Sequence, residues 1–405
     1  MTATTPRGAS PALEEPFIPL AVPELRGNEA RYVQECLDSG WVSSAGAFVE
    51  RFEADVASAV GARHAVATAS GTAALHVALL VAGVQPGDEV LVSALTFIAP
   101  ANAIRYAGAW PVFIDAEREY AQLDPAQVAE FLAGCEPCAG GGVRNPRTGR
   151  RVRALLPVHV LGHPVDMDPL LALARANGLA VVEDATESLG ARYRGRPVGR
   201  LGDVACFSFN GNKLVTTGGG GMLVTDDPAL ADTARYLTTQ AKDDAIEYVH
   251  GAVGYNYRLT NVQAAIGVAQ MERLDQLLGA KRRIAGRYAE GLRGVAGLEP
   301  MAEAAWARSA WWMYTVRIDE RSFGMDSRAL MRALEDRRIQ TRPLWQPLPL
   351  SPAHADAVPR ACPTAGDWNR RALSLPCSCG LTDGQQERVI DAVREIAATR
   401  GGRVG

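Results

Sequence analysis

The sequence predicts an α/β protein in which a large, mostly parallel seven-stranded sheet is followed by a smaller C-terminal α+β domain. Two observations carry the prediction. From about residue 60 to 225, short apolar and β-branched runs alternate with stretches of helical period, the mark of strand–helix–strand units and hence of parallel pairing. Those runs are largely apolar throughout, as strands covered on both faces are. A length of 405 residues, at roughly 150 per domain, leaves room for two or three domains.

Residues 1–16, MTATTPRGASPALEEP, lack the apolar core of a signal peptide and read as a flexible N-terminal arm. Strands are expected at HAVATA (64–69), EVLVSA (89–94), PVFID (111–115), RALLPVHV (153–160), LAVVED (179–184), DVACFSF (203–209) and GMLVT (221–225). Helices are expected between them at TAALHVALLVAG, ANAIRYAGA and MDPLLALARANG. Residues 135–152, CEPCAGGGVRNPRTGRRV, form a long Gly- and Arg-rich connection, read as a solvated excursion in preference to a lid. NVQAAIGVAQMERLDQLL (261–278) opens a stretch of helical spacing that includes Ile266, Leu274, Leu277, Leu278, Ile284 and Tyr288. It leads from a large domain, 17–280, into a small one, 281–405, with a strand at WWMYTVRID and a final helix near GQQERVIDAVREIAA.

Composition narrows the function. Charged residues make up 21% and the formal net charge is −3, so no long-range field draws nucleic acid or anionic membrane, and any anion must be caught locally. No run approaches the roughly 20 apolar residues of a membrane-spanning helix; a cytoplasmic enzyme is expected. Seven cysteines, an odd number without framework spacing, fit reduced thiols. Cys135-Glu-Pro-Cys138 and Cys377-Ser-Cys379 could offer four thiolates, but the second pair is too tightly spaced for a closed zinc site, and no metal is expected.

In sheets of this kind the ligand crevice lies beyond the carboxyl ends of the strands. The polar residues there are Ser70-Gly71-Thr72, Thr96-Phe97, His159, Asp184 and Ser208. Each has a plain structural alternative: helix caps for Ser70 and Thr72, a turn for Asp184, a hydrogen-bonded core residue for His159. Asp184 ends the buried run VVED, and such a carboxylate is costly to desolvate unless a cation meets it. That cation is either an arginine or the protonated ring nitrogen of a bound heterocycle. Lys213 follows one strand later, and an amine in a partly desolvated site is a nucleophile towards carbonyls and a proton shuttle. An aspartate for a pyridinium and a lysine for an aldehyde are the two protein groups that pyridoxal phosphate needs. Its phosphate can be met at Ser70–Ala74, where a strand turns into a helix and backbone N–H groups face an anion, with the Ser208 hydroxyl beside them. Gly218–Gly221 either let the chain fold back beside a ligand or make a flexible turn.

Taken in order, Ser70-Gly71-Thr72, Thr96-Phe97, Pro157-Val158-His159, Glu183-Asp184-Ala185-Thr186-Glu187, Phe207-Ser208-Phe209, Lys213, Gly219-Gly220 and Gly254-Tyr255-Asn256-Tyr257-Arg258 resemble the pyridoxal-phosphate-dependent sugar aminotransferases of the DegT/DnrJ/StrS type. The likeness runs from about residue 17 to the C-terminus and implies a fold-type I transferase. By resemblance, Lys213 holds the cofactor covalently, Asp184 pairs with its ring nitrogen and Phe97 stacks on the ring. Gly71, Thr72 and Ser208 meet the phosphate, and Glu187 stands where the family often has glutamine near the ring hydroxyl. Asn256 resembles an asparagine that the neighbouring subunit contributes, which implies a homodimer with active sites at the interface.

A narrower likeness, in Asn210-Gly211-Asn212-Lys213, Thr216–Gly221, Thr239–Asp244 and Thr341–Trp345, points to the branch that aminates UDP-linked 4-keto-6-deoxy-N-acetylhexosamines on routes to bacillosamine and legionaminic acid. The amino group would come from glutamate. Alternatives are a GDP- or dTDP-linked or a C3-keto sugar nucleotide, and a non-catalytic regulator or scaffold on the same fold. A dehydratase relative carries histidine in place of the lysine, which Lys213 opposes. For the sugar nucleotide itself, Trp41, Arg258, Arg342 and Trp345 are candidates, since arginine forks phosphate and tryptophan stacks on sugar or base; a salt bridge or core aromatic is the alternative for each.

Overall fold

The computed structural model describes residues 15–244, 246–358 and 360–401. Of the expected arm, residues 1–14 lie outside the described residues. All seven expected strands form: β1 His64–Thr68, β2 Glu89–Ser93, β3 Trp110–Ile114, β4 Arg151–Leu156, β5 Ala180–Asp184, β6 Val204–Ser208 and β7 Gly221–Thr225. They lie side by side in the order β1-β7-β6-β5-β4-β2-β3. β7 runs antiparallel to both its neighbours; the remaining pairs are parallel. Parallel strands must be joined by crossovers, and α1 Gly71–Val81, α2 Ala99–Tyr106 and α3 Met167–Ala176 supply three of them.

α1 shows why the sheet is covered so tightly. Residues Ala73 to Leu79 are all buried, so this helix has no solvent face and sits in the interior. Its start is fixed by Ser70, whose Oγ accepts from the Ala73 N–H at 3.1 Å. The chain therefore leaves β1 and enters the helix at a defined point, which sets the crevice described below.

The 135–152 connection is solvated along much of its length but is more ordered than a bare excursion. It is a hairpin, Glu136–Pro137 against Val143–Arg144, whose second arm pairs antiparallel with the start of β4. Val143 is buried, and buried Asn145 donates to Glu89 Oε2 at 2.8 Å. Burying one valine and satisfying one carboxylate holds this segment on the sheet, at the end opposite the carboxyl ends of the strands.

The long helical stretch divides into α4 Asn261–Met271 and α5 Leu274–Gly291. α4 opens with a capping box between Thr260 and Gln263. The expected domain boundary at 280 falls inside α5, which runs unbroken across it. Beyond it, an antiparallel sheet orders Leu298–Pro300, Tyr314–Ile318, Ala372–Leu375 and Arg342–Pro343, and α6, Asp383–Gly401, follows. Ile18 N–H donates to Arg338 O and Ile18 O accepts from Gln340 N–H, each at 2.9 Å, so the start of the expected large domain is tied to the C-terminal part. No helix among the described residues is long and apolar enough to cross a membrane.

Candidate active site

β5 ends in two acids with different fates. Glu183 is fully buried and accepts from the N–H groups of Gly199, Leu201 and Gly202. Burial pulls its pKa up, but His159 and these N–H groups outweigh burial and leave it below the ordinary value. His159 Nε2 lies 3.1 Å from Glu183 Oε2 and its Nδ1 accepts from Val165 N–H, so it is the hydrogen-bonded core residue of the plain alternative.

Asp184, on the other face of the strand, is 2% exposed and opens on the crevice. Its Oδ1 accepts from Thr186 N–H at 3.0 Å. Burial pushes this carboxyl up, and the bonds from Thr186 draw it only partly back. Among the described residues no side-chain cation forms an ion pair with it.

The segment after β6 is closed on itself. Phe209 N–H donates to Gly220 O, and Thr217 N–H donates to Phe209 O, both at 2.9 Å. Of the four glycines only Gly218 has positive φ, +78°; Gly221 is needed for space, since a Cβ there would lie 2.4 Å from Ser70 O. Lys213 is thereby directed inward with its side chain 13% exposed. Its Nζ lies 3.5 Å from Glu187 Oε1 and 4.0 Å from the Trp312 ring centroid. Glu187 accepts from Leu161 N–H through its other oxygen, at 2.8 Å. Burial, only partly countered by Lys213, pushes Glu187 up to about 7.

A hollow of about 380 Å³ gathers these groups. Gly71, Thr72, Phe97, Asp184, Glu187, Ser208, Lys213 and Trp345 all line it. At its floor, α1 begins against Ser208: a Cβ on Gly71 would come within 2.8 Å of Ser208 Cβ. The first N–H groups of a helix have no acceptor within it, so the Gly71–Thr72 turn, beside a hydroxyl, is a cradle for an anion. At its mouth, Phe97 is 55% exposed and Trp312 and Trp345 stack at 6.5 Å with planes 9° apart. A larger surface hollow near Arg51, Glu272 and Arg308, about 850 Å³, contains none of these residues.

Four expected site residues lie elsewhere. Arg258 ion-pairs with Glu53, a carboxylate also gripped by Arg235, so the salt-bridge alternative holds for it in this chain. Trp41 is 60% exposed and away from the hollow; Arg342 is exposed and donates to Thr341 O. Asn256 is exposed on a segment bridged to Thr239 and does not line its own chain's crevice.

Trp312 and Thr186 are the residues that sequence reasoning passed over. Thr186 stands inside the Glu183–Glu187 motif, where the resemblance gives it no role; it acts on Asp184 through both its side chain and its backbone N–H. Trp312 falls inside the expected strand WWMYTVRID, whereas the strand begins at Tyr314 and leaves Trp312 in the turn ahead of it.

The chain matches the DegT/DnrJ/EryC1/StrS aminotransferase family over residues 23–394. It is 41% identical over 382 residues to a GDP-perosamine synthase of Caulobacter vibrioides, covering 94% of this chain and 98% of that protein. A GDP-perosamine synthase of Escherichia coli O157:H7 is 35% identical over 383 residues, with 94% and 98% covered. Among solved structures, S. venezuelae DesV in complex with a ketimine intermediate superposes with a TM-score of 0.84 at 37% identity, covering 95% of this chain and 99% of that one. Agreement over nearly the whole length, with a lysine, a buried aspartate and an anion cradle facing one hollow, places the protein in the DegT/DnrJ/EryC1/StrS family as a fold-type I, pyridoxal-phosphate-dependent sugar aminotransferase.

Proposed function

We propose that this enzyme moves an amino group from glutamate to C4 of a nucleotide-linked 4-keto-6-deoxyhexose, and that the nucleotide is GDP in preference to UDP. The observation that carries the reading is the meeting of Lys213 and Asp184 in one enclosed hollow, in a chain 41% identical to a GDP-perosamine synthase. The narrower sequence likeness favoured UDP-linked N-acetylhexosamines; the relatives named above support the GDP-linked alternative.

The residues fit the cofactor. Asp184 is a buried acid that forms no ion pair among the described residues, which suits a protonated ring nitrogen, and the Gly71–Ser208 cradle suits a phosphate. Lys213 would hold the aldehyde carbon, Phe97 would cover the ring, and Glu187 would face the ring hydroxyl. When bound, pyridoxal phosphate supplies an electron sink for the carbon that loses its proton.

The chain's own groups do the rest. Asp184 would be held ionised by a protonated ring nitrogen and would keep that nitrogen protonated. The Lys213 amine would take the proton from Cα of the donor amino acid and would deliver one to sugar C4, a relay worth about 10² to 10⁴-fold in rate. Glu187, 3.5 Å from Nζ, limits the directions in which that amine swings. Trp345, stacked on buried Trp312, presents a ring suited to the apolar face of a hexose.

A homodimer fits the exposed residues near the crevice. Asn256 is exposed on its own chain, free to reach a second copy, and the nearby 242–250 hairpin carries Ile246 and Tyr248 at 84% and 69% exposure. The reading is tested by incubating enzyme and glutamate with GDP-linked and with UDP-linked 4-keto-6-deoxy sugars and assigning C4 by NMR. A new C4 amine on the GDP sugar supports it. Turnover of the UDP sugar alone reverses the nucleotide choice, and turnover of neither overturns the substrate class.

A further inference from the structure

Lys213, Lys242 and Lys281 are the only lysines among 42 basic Lys and Arg residues. Lys281, on α5, is 4% exposed and among the described residues ion-pairs with no carboxylate. Burying an ammonium is expensive unless hydrogen bonds replace its water. Here main-chain carbonyls do so: Nζ donates to Trp312 O at 2.8 Å and to Cys377 O at 2.5 Å, with Cys377 Sγ at 3.7 Å. These carbonyls stand at the adjoining ends of strands Tyr314–Ile318 and Ala372–Leu375, so α5 staples the two strands where the chain turns into the crevice.

The turn being held is under strain. Trp311 has φ of +51°, a region costly for a bulky L-residue and kept only where the surroundings enforce it. Trp311 N–H donates to Ser309 Oγ, and Ser309 Oγ donates to Gly162 O, each at 3.0 Å; a Cβ on Gly162 would lie 2.7 Å from Trp312 N. Residues 309–312 are thus pressed between Gly162 on one side and the Lys281 ammonium on the other. The side chain so placed is Trp312, whose ring lies 4.0 Å from Lys213 Nζ and whose Nε1–H donates to Asn212 O at 2.8 Å. One indole therefore holds both the amine and the backbone beside it.

We propose that Lys281 is a positioning residue for Lys213: its buried ammonium fixes the Trp312 main chain, and the Trp312 ring holds the Lys213 amine towards the cofactor's carbonyl carbon. The proposal rests on the assignment of Lys213 made above. It concerns geometry before any sugar binds, so it is read without turnover.

The test follows the rate at which apo-protein acquires the visible absorbance of bound cofactor after pyridoxal phosphate is added. Lys281→Met and Trp312→Phe should each slow this step about tenfold, and the double variant should be no slower than the slower single one, because both remove the same contact. Lys281→Gln, which keeps an N–H donor, should recover most of the rate; if Lys281→Met does not fold, the Gln variant takes its place in the cycle with a smaller slowing and the same non-additivity. A Lys281→Met rate equal to wild type, or effects that multiply in the double variant, overturns the proposal while leaving Lys213 as the attachment point. Wild-type protein that never gains the absorbance overturns the assignment of Lys213 and the proposal with it.

Discussion

Glu187 Oε1 and Lys213 Nζ lie 3.5 Å apart in a site where the carboxyl is 6% exposed and pushed up to about 7. Burial dominates that shift, so the neutral acid is the form the folded chain prefers at mildly acidic pH. The carboxylate form gains weight only as pH approaches neutrality.

A pH-dependent stability follows. A group whose folded pKa is raised from 4.5 to about 7 favours folding fully below the unfolded value and loses that contribution as pH rises through the folded one. Glu187→Gln cannot titrate. The stability of wild-type apo-protein, relative to this variant, should fall by up to about 3 kcal/mol between pH 4.5 and 8. Denaturant unfolding of both proteins across that range checks it; parallel curves would refute the assignment of the shift to Glu187.

Gly71 has room for hydrogen only. Adding one methyl puts a carbon 2.8 Å from Ser208 Cβ and pushes the first turn of α1 away from the hydroxyl. Gly71→Ala should weaken cofactor binding about tenfold, a loss near 1.4 kcal/mol. Titration of apo-protein with pyridoxal phosphate, followed by absorbance, gives the number directly.

The Glu53 carboxylate binds Arg235, Arg258 and the Ala67 N–H, at 7% exposure. Removing it leaves the Ala67 N–H without its acceptor and the largely buried Arg258 guanidinium with only the Ala67 carbonyl, while Arg235 keeps the Ala65 carbonyl and solvent. Glu53→Ala should lower folding stability by about 3 kcal/mol, as loss of one partner of a buried pair does. If Arg258 instead served the substrate chiefly, the variant would change KM and leave the denaturation midpoint in place.

Trp345 reaches the crevice from the C-terminal part and stacks with Trp312. Trp345→Ala should raise KM for the ketosugar about tenfold with kcat within about twofold, since stacking contributes on the order of 1 kcal/mol in ground and transition states alike. Initial rates over a range of sugar nucleotide separate the two constants.

Much of this arrangement was legible in the sequence. The seven strands are apolar runs bounded by polar ends, and a crevice beyond their carboxyl ends follows from parallel pairing, so Asp184, Ser208 and Lys213 could be placed at one edge before any coordinates. What escaped depends on contacts between distant segments. Arg258 and Glu53 meet at the end of β1, where Ala69 N–H bonds to Tyr257 O and Ala67 N–H bonds to Glu53, a convergence that no local pattern encodes. Trp312 turns into the crevice because Trp311 takes a left-handed backbone. The pairing of the 135–152 segment escaped because Val143 and Asn145, which anchor it, are isolated among glycines and arginines.

The most direct test of the central claim is borohydride reduction of the holoenzyme followed by peptide mass analysis. With only Lys213, Lys242 and Lys281 available, the account predicts a reduced pyridoxyl label on Lys213 alone and its loss in Lys213→Ala. A label on either of the other two lysines, or a holoenzyme that takes none, would contradict it.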